Sequence, residues 1–224
     1  MRKRFINVFL ICCMLAVLSI PAVLEANDTK ALRRAGEKIS NTLDNKEASA
    51  ILFSEGDIEI TKEELALVMT GNMGQGKNPE EIIENAVRTI VTQKYLYAQA
   101  SKAGFEVTDA EFETYKMLLE ESIKNAENKE DVLAYFDGFG GEDHYWEKMK
   151  PTIKRNLCIR KYLNSQIGNK NDITAYSEKE SPEEIEHQQK LESTIKEDAY
   201  ANALTDEGEE KLTDIATQLY QEIK

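Results

Sequence analysis

The chain is poor in the residues that most often do covalent chemistry. It has three cysteines, two histidines, four prolines and one tryptophan in 224 residues. Cys12 and Cys13 sit together near the N-terminus, which leaves Cys158 alone in the body of the chain. A lone thiol cannot staple a domain, so stability must come from a buried core. Cys158 lies in a helical pattern and reads as a packed side chain rather than a reactive one. There is no His-x-x-x-His pair, Cys-x-x-Cys pair or nucleophile elbow. His144 follows Glu142 and Asp143, but adjacent helical residues do not converge on a metal, so it reads as a surface or rim histidine. His187 falls on a polar stretch. Basic residues are also scarce, 28 against 41 acidic ones, for a net charge of −13. Such a surface disfavours nucleic acid and anionic lipid and tolerates neutral or basic chains.

Only one long apolar run exists, from Phe5 to about Ile20. It stands behind Arg2, Lys3 and Arg4 and ahead of Pro21 and a small-residue exit at Ala26, the order of parts in a secretory signal peptide. Residues 1–26 are therefore expected to be a signal peptide or, if uncleaved, a membrane anchor, since Phe5 to Leu24 approaches the ~20 residues that span a bilayer. Lipid attachment at Cys12 or Cys13 would leave too short an apolar region before the cysteine. Each option puts the remainder outside the cytoplasm, secreted or in the cell envelope, and touching membrane only through this segment.

The rest is punctuated for helices. "DTKALRRAGEKISNTLDN" spaces Leu32, Ala35, Ile39 and Leu43 for a helix. Apolar runs Ala50–Phe53 and Ile58–Ile60 flank Ser54-Glu55-Gly56-Asp57, a hairpin signal. Thr61-Lys62-Glu63-Glu64 is a capping box, in which the threonine oxygen and the glutamate satisfy each other's backbone donors. It opens a short helix through Met69. Pro79 suits the first turn of a long helix with a broad apolar face, Ile82 to Ala98. Gly104 can take positive φ beyond its end. Phe105 and Val107 are then free to pack back, and Thr108–Glu111 forms a second capping box. Phe112, Tyr115, Leu119, Ile123 and Ala126 stripe the next helix. A short glycine-ended helix follows, then a long one with Trp146, Met149, Ile153, Leu157 and Leu163 inward and a kink expected at Pro151. Gly168 to Ser181 reads as a polar linker. A charged helix begins at Ser181–Glu184 with a weak stripe, and a last helix carries Leu212, Ile215, Ala216, Leu219 and Ile223. The expected class is mainly α with a small β-hairpin.

"GNMGQGKN", residues 71–78, has the spacing of a phosphate-binding loop. It follows a helix instead of a strand, places asparagine where the magnesium hydroxyl belongs, and runs into Glu80 and Glu81, which would repel phosphate. It reads as a plain loop. Carboxylates elsewhere cluster at helix starts, where they complement the dipole. No cofactor or metal is expected.

"GDIEITKEEL", "AVRTIVTQKYLYAQASKAGFEVTDAEFE" and "YWEKMKPTIKRNLCIRKYL" together give residues 50–167 a resemblance to a known family. This stretch resembles the N-terminal chaperone module of SurA-type and PrsA-type extracytoplasmic foldases. The resemblance implies a helical module over residues 27–167 that binds unfolded or secreted polypeptides without ATP. Residues 168–224 would be a linker and C-terminal helices that return to complete the module or pair with another chain. Family members usually carry a parvulin-type prolyl isomerase domain. The stretch after residue 167 shows no strand alternation to house one, so no enzyme is expected, with residual isomerase activity as a lesser alternative. A cell-envelope adaptor for one specific partner is the other reading.

A surface for varied peptides needs adaptable apolar groups. Met69, Met73, Tyr97, Tyr115, Met117, Phe136, Phe139, Tyr145 and Trp146 are available. The candidate peptide-binding set is Met69, Met73, Tyr115, Phe136, Phe139, Tyr145 and Trp146, with the last four flanking the Gly138–Gly141 turn, where burial is least assured.

Overall fold

The computed structural model describes residues 29–44, 50–73, 78–126, 128–168 and 182–223. Among them are eight helices and one two-stranded antiparallel hairpin, the mainly α architecture expected. In chain order they are α1 (Thr29–Asp44), β1 (Ile51–Glu55), β2 (Ile58–Thr61), α2 (Lys62–Met73), α3 (Pro79–Lys102), α4 (Asp109–Lys124), α5 (Lys129–Gly138), α6 (Glu142–Gln166), α7 (Pro182–Ala201) and α8 (Asp206–Ile223). The leader, residues 169–181 of the expected linker, and Gly74–Lys77 of the phosphate-loop-like stretch lie outside the described residues. Gly71 and Asn72 of that stretch belong to α2, which runs to Met73, beyond the end expected from the sequence. No helix among the described residues is long and apolar enough to cross a membrane.

Local chemistry sets the element ends. Gly56, at φ 57°, makes the hairpin turn, and Phe53, Ile58 and Ile60 face inward. At the Thr61 box, the Glu64 N–H donates to Thr61 Oγ1 at 3.2 Å, and the Thr61 N–H donates to Glu64 Oε2 at 3.1 Å. Asn78 and Glu81 form a box ahead of α3, and Thr108 and Glu111 another ahead of α4. Gly104 has φ 81° and ends the turn after α3. The segment between α3 and α4 is also tied to α6. Cys158 Sγ donates to the Phe105 carbonyl at 3.2 Å, and Lys161 Nζ reaches the Glu106 carbonyl at 2.8 Å and Glu111 Oε1 at 2.6 Å. Burial pushes the Cys158 thiol pKa up, which fits a packed rather than reactive sulfur. The helix α6 continues through Pro151, which interrupts neither its span nor its inward stripe.

Two cores result. One gathers α1, α4, α5 and α6 around Leu32, Ile39, Phe112, Tyr135, Trp146 and Met149. The other joins the hairpin, α2, α3 and α8 around Phe53, Ile60, Leu65, Met69, Ile90 and Leu212. A smaller cluster of Leu96, Ile159, Leu163 and Ala199 seats α7 on α3 and α6. Helix α3 is the common member, packed against α2, α6, α7 and α8.

Two attachments are unusually close. Helices α1 and α5 meet at Gly36 and Gly138, where a Cβ on Gly36 would overlap the Tyr135 carbonyl oxygen and lie 3.1 Å from Gly138 Cα. Arg33 and Asp137 pair at 2.7 Å beside this crossing, and Lys148 Nζ donates to Ser40 Oγ and Asp44 Oδ2, each at 2.7 Å. The start of α8 is held by the hairpin: the Thr205 N–H donates to Glu55 Oε1 at 2.7 Å, and a Cβ on Gly208 would overlap that carboxylate. The last helix thus returns onto the hairpin core, with Leu212, Ala216 and Leu219 buried.

Candidate functional site

The aromatic residues favoured by the sequence come together, but inside the protein. Phe136 and Tyr145 have ring centroids 4.4 Å apart, Tyr145 and Trp146 5.1 Å, and Phe139 and Tyr145 5.1 Å. Trp146 also meets Phe112 edge-on at 6.4 Å, and Lys116 lies over its indole. Phe136, Phe139, Tyr145 and Trp146 are each no more than 4% exposed. The glycine turn folds its aromatics inward, so this quartet is core and offers no open surface. Tyr115 is buried in the same core and Met69 in the other. Met73 ends α2, but its side chain lies outside the described residues. Met117 and Tyr97 stand at the surface, 60% and 39% exposed.

Open space occurs instead where α2, α3 and α6 meet. A cleft of about 260 Å³ is lined by Thr61, Glu63 and Glu64, by Leu67, Val68 and Ile90, and by Gln93, Pro151, Thr152 and Arg155. A second, of about 440 Å³, shares Pro151 and Arg155 and runs past Tyr97, Ser101, Lys154 and Cys158 to the segment between α3 and α4. Proline at 151 leaves the carbonyl one turn back without its helical donor, which adds a polar group to α6 here.

A charge cluster fixes the side of the first cleft. Glu64 Oε1 is 2.6 Å from both Lys94 Nζ and Arg155 Nη1, with all three side chains less than 20% exposed. Burial alone would push the Glu64 pKa up. The Lys94 hydrogen bond, the Thr61 N–H and the two cations outweigh it, and the carboxyl stays below the usual range. One glutamate therefore closes a helix cap and holds a lysine and an arginine. Its neighbour Glu63 is in a different state. It has no hydrogen-bond or ion-pair partner among the described residues, and its pKa is raised, first by burial and then by Glu64.

Two more polar atoms at this cleft lack partners. Arg155 Nε and Gln93 Oε1 are buried without a hydrogen bond. A buried polar atom left unpaired costs on the order of 1–3 kcal/mol, so each is a standing demand for a partner. The arrangement is one donor and two acceptors (Arg155 Nε, Gln93 Oε1 and the Glu63 carboxyl) beside Leu67, Val68 and Ile90. It can hold a polar group with an apolar attachment by hydrogen bonds and contact.

Sequence reasoning missed Glu63, Gln93, Lys94 and Arg155. Lys94 was the available signal, since it continues the Ile83, Val87, Ile90 stripe at spacings of four, three and four. A charge on an apolar stripe needs a buried partner. Among the described residues no group of three or more histidine, cysteine, aspartate or glutamate side chains could hold a metal ion. His144 is exposed, with Nδ1 3.0 Å from the Gly140 carbonyl oxygen. Comparison with known proteins does not extend this picture: no family model, curated protein or solved structure matches the chain.

Proposed function

We propose that this protein is an exported, chaperone-like binding protein that holds non-native polypeptide without ATP or metal. Three things support the reading. The N-terminal segment has the layout of an export signal. Residues 50–167 resemble the chaperone module of SurA-type and PrsA-type foldases. The observation that carries it is the cleft between α2, α3 and α6, lined by apolar Leu67, Val68 and Ile90 together with Gln93 and Arg155, whose buried Oε1 and Nε have no partner. Peptide chain offers both an amide and an apolar side chain at every such residue, which suits a site of this composition. The cleft is open and needs no chemical step, as holding requires.

Dilution of a denatured, near-neutral model enzyme into buffer, followed by light scattering, tests the proposal. An equimolar amount of this protein is expected to lower the scattering amplitude and to be indifferent to nucleotide or chelator. Equal scattering with and without it overturns the reading. Recovery of one stoichiometric partner from the exported fraction, with no effect on scattering, would favour the dedicated adaptor.

A further inference from the structure

We propose that the α2–α3–α6 cleft grips one backbone amide of a guest chain between Gln93 and Arg155, and that Glu63 selects guests with a lysine or arginine beside the apolar residue it takes in. The inference rests on the reading of the protein as a polypeptide binder and assigns that function a specific site and substrate class. It begins from unpaired valences. Gln93 Oε1 accepts nothing, Arg155 Nε donates to nothing, and both atoms, closed to solvent, belong to side chains that line the same cleft. A secondary amide carries one N–H and one C=O, the complementary pair. Rotation of the Gln93 side chain and of the guanidinium turns these atoms toward a guest, and the guest repays both desolvation costs together.

Size and charge narrow the guest further. A cavity of about 150 Å³ accommodates benzene. The 260 Å³ here therefore takes a leucine- or phenylalanine-sized side chain against Leu67, Val68 and Ile90. In the cleft, Glu64 is already paired with Lys94 and Arg155, while the Glu63 carboxyl has no ion-pair partner among the described residues and feels Arg155 only through space. The whole chain carries −13, so its long-range field also favours a basic guest. The alternative contacts are the exposed apolar side chains Met117 and Leu118 on α4 and Leu133 on α5.

The test is a fluorescence-anisotropy titration of the intact protein with the labelled peptide Gly-Ser-Lys-Leu-Leu-Lys-Ser-Gly. Two relatives serve as controls, one with both lysines changed to glutamate and one N-methylated at the second leucine. Gln93→Leu is expected to weaken the parent peptide about tenfold and to leave the N-methylated one, which lacks the donor, nearly unchanged. Glu63→Gln should erase the preference for the lysine peptide over its glutamate relative. Thermal midpoints at or above wild type confirm that both variants are folded, and Arg155→Lys, which keeps the Glu64 contact and removes Nε, is the second route to the same loss. Binding that survives all three substitutions but falls with Met117→Ala or Leu133→Ala overturns the proposal in favour of those exposed side chains. So does an absence of peptide binding. If scattering is still suppressed while cleft variants behave as wild type, the function stands and this site falls.

Discussion

Changing Gly36 to alanine sets two effects of opposite sign against each other. In an exposed helix interior the substitution stabilises by about 1 kcal/mol, because alanine is the better helix former. At Gly36 the new methyl group would overlap the Tyr135 carbonyl oxygen and crowd Gly138 Cα at 3.1 Å. Both obstacles are backbone, so no side-chain rotation relieves them and α1 has to lift from α5. What α1 loses can be bounded. Leu32 and Ile39 are its fully buried side chains, no more than 1% exposed, and each gains about 1.5–3 kcal/mol from burial. Complete undocking forfeits about 3–6 kcal/mol from these two, and a lift that half exposes them about half as much. Net of the helix gain, Gly36→Ala should destabilise by about 0.5–5 kcal/mol, against a typical total of about 5–15. Urea unfolding followed by circular dichroism measures it as a lower midpoint. Gly138→Ala, whose methyl group would overlap the Arg33 carbonyl oxygen and sit 2.7 Å from the Glu37 nitrogen, should act alike. The double variant should cost less than the sum, because one lift relieves both clashes. A Gly36→Ala protein as stable as wild type, or more so, would refute the crossing itself.

Acid stability gives a second expectation. The Lys161 hydrogen bond, followed by the Thr108 N–H, holds the Glu111 pKa down at about 2, against an opposing push from burial. A folded-state value below the unfolded one stabilises the native state above the ordinary glutamate range, and the benefit disappears as pH falls from about 4.3 toward 2. The carboxylate is a third exposed, so screening leaves about 0.5–1 kcal/mol. Glu111→Gln should then lower stability at pH 7 and converge on wild type only as pH falls through about 2 in chemical denaturation; a gap that stays constant with pH refutes the account. At the other end of the chain, Gly208→Ala should push the Glu55 carboxylate off the start of α8 and cost about 1 kcal/mol, the usual worth of a lost cap. The same loss should follow Glu55→Gln only in part, since the amide oxygen still accepts from the Thr205 N–H. Equal stability of wild type and Gly208→Ala by thermal melting argues against that contact.

What the sequence discloses here is chiefly local. Thr61 with Glu64, Thr108 with Glu111, and Gly104 with its positive φ each act within a few residues, and each stands where the pattern put it. Helical stripes such as Phe112, Tyr115, Leu119 and Ile123 are legible because periodicity alone selects a face. It does not say what covers that face. Phe136, Phe139, Tyr145 and Trp146 looked open beside a glycine-rich turn, yet Gly138 is there to bring α1 within backbone distance, and α1 seals them. Nothing near Gly138 in the chain announces Gly36. The cleft was hidden for the same reason: Glu64, Gln93 and Arg155 come from three helices, and their shared vacancy exists only after α6 lies across α2 and α3. Asn78 is a milder case: it caps α3 in a box with Glu81, immediately before the proline whose first-turn preference marks the same helix start.

The grip of Glu55 on the start of α8 bears on the order of synthesis. Glu55 and Thr205 are 150 positions apart, and between them the ribosome must deliver almost everything else. Translation at about 5–20 residues per second leaves the hairpin and α2 waiting on the order of ten seconds for their lid. Through that interval the part of the hairpin core that Leu212, Ala216 and Leu219 complete stays open on a nascent chain, and the newborn protein itself needs the shelter it is proposed to give others.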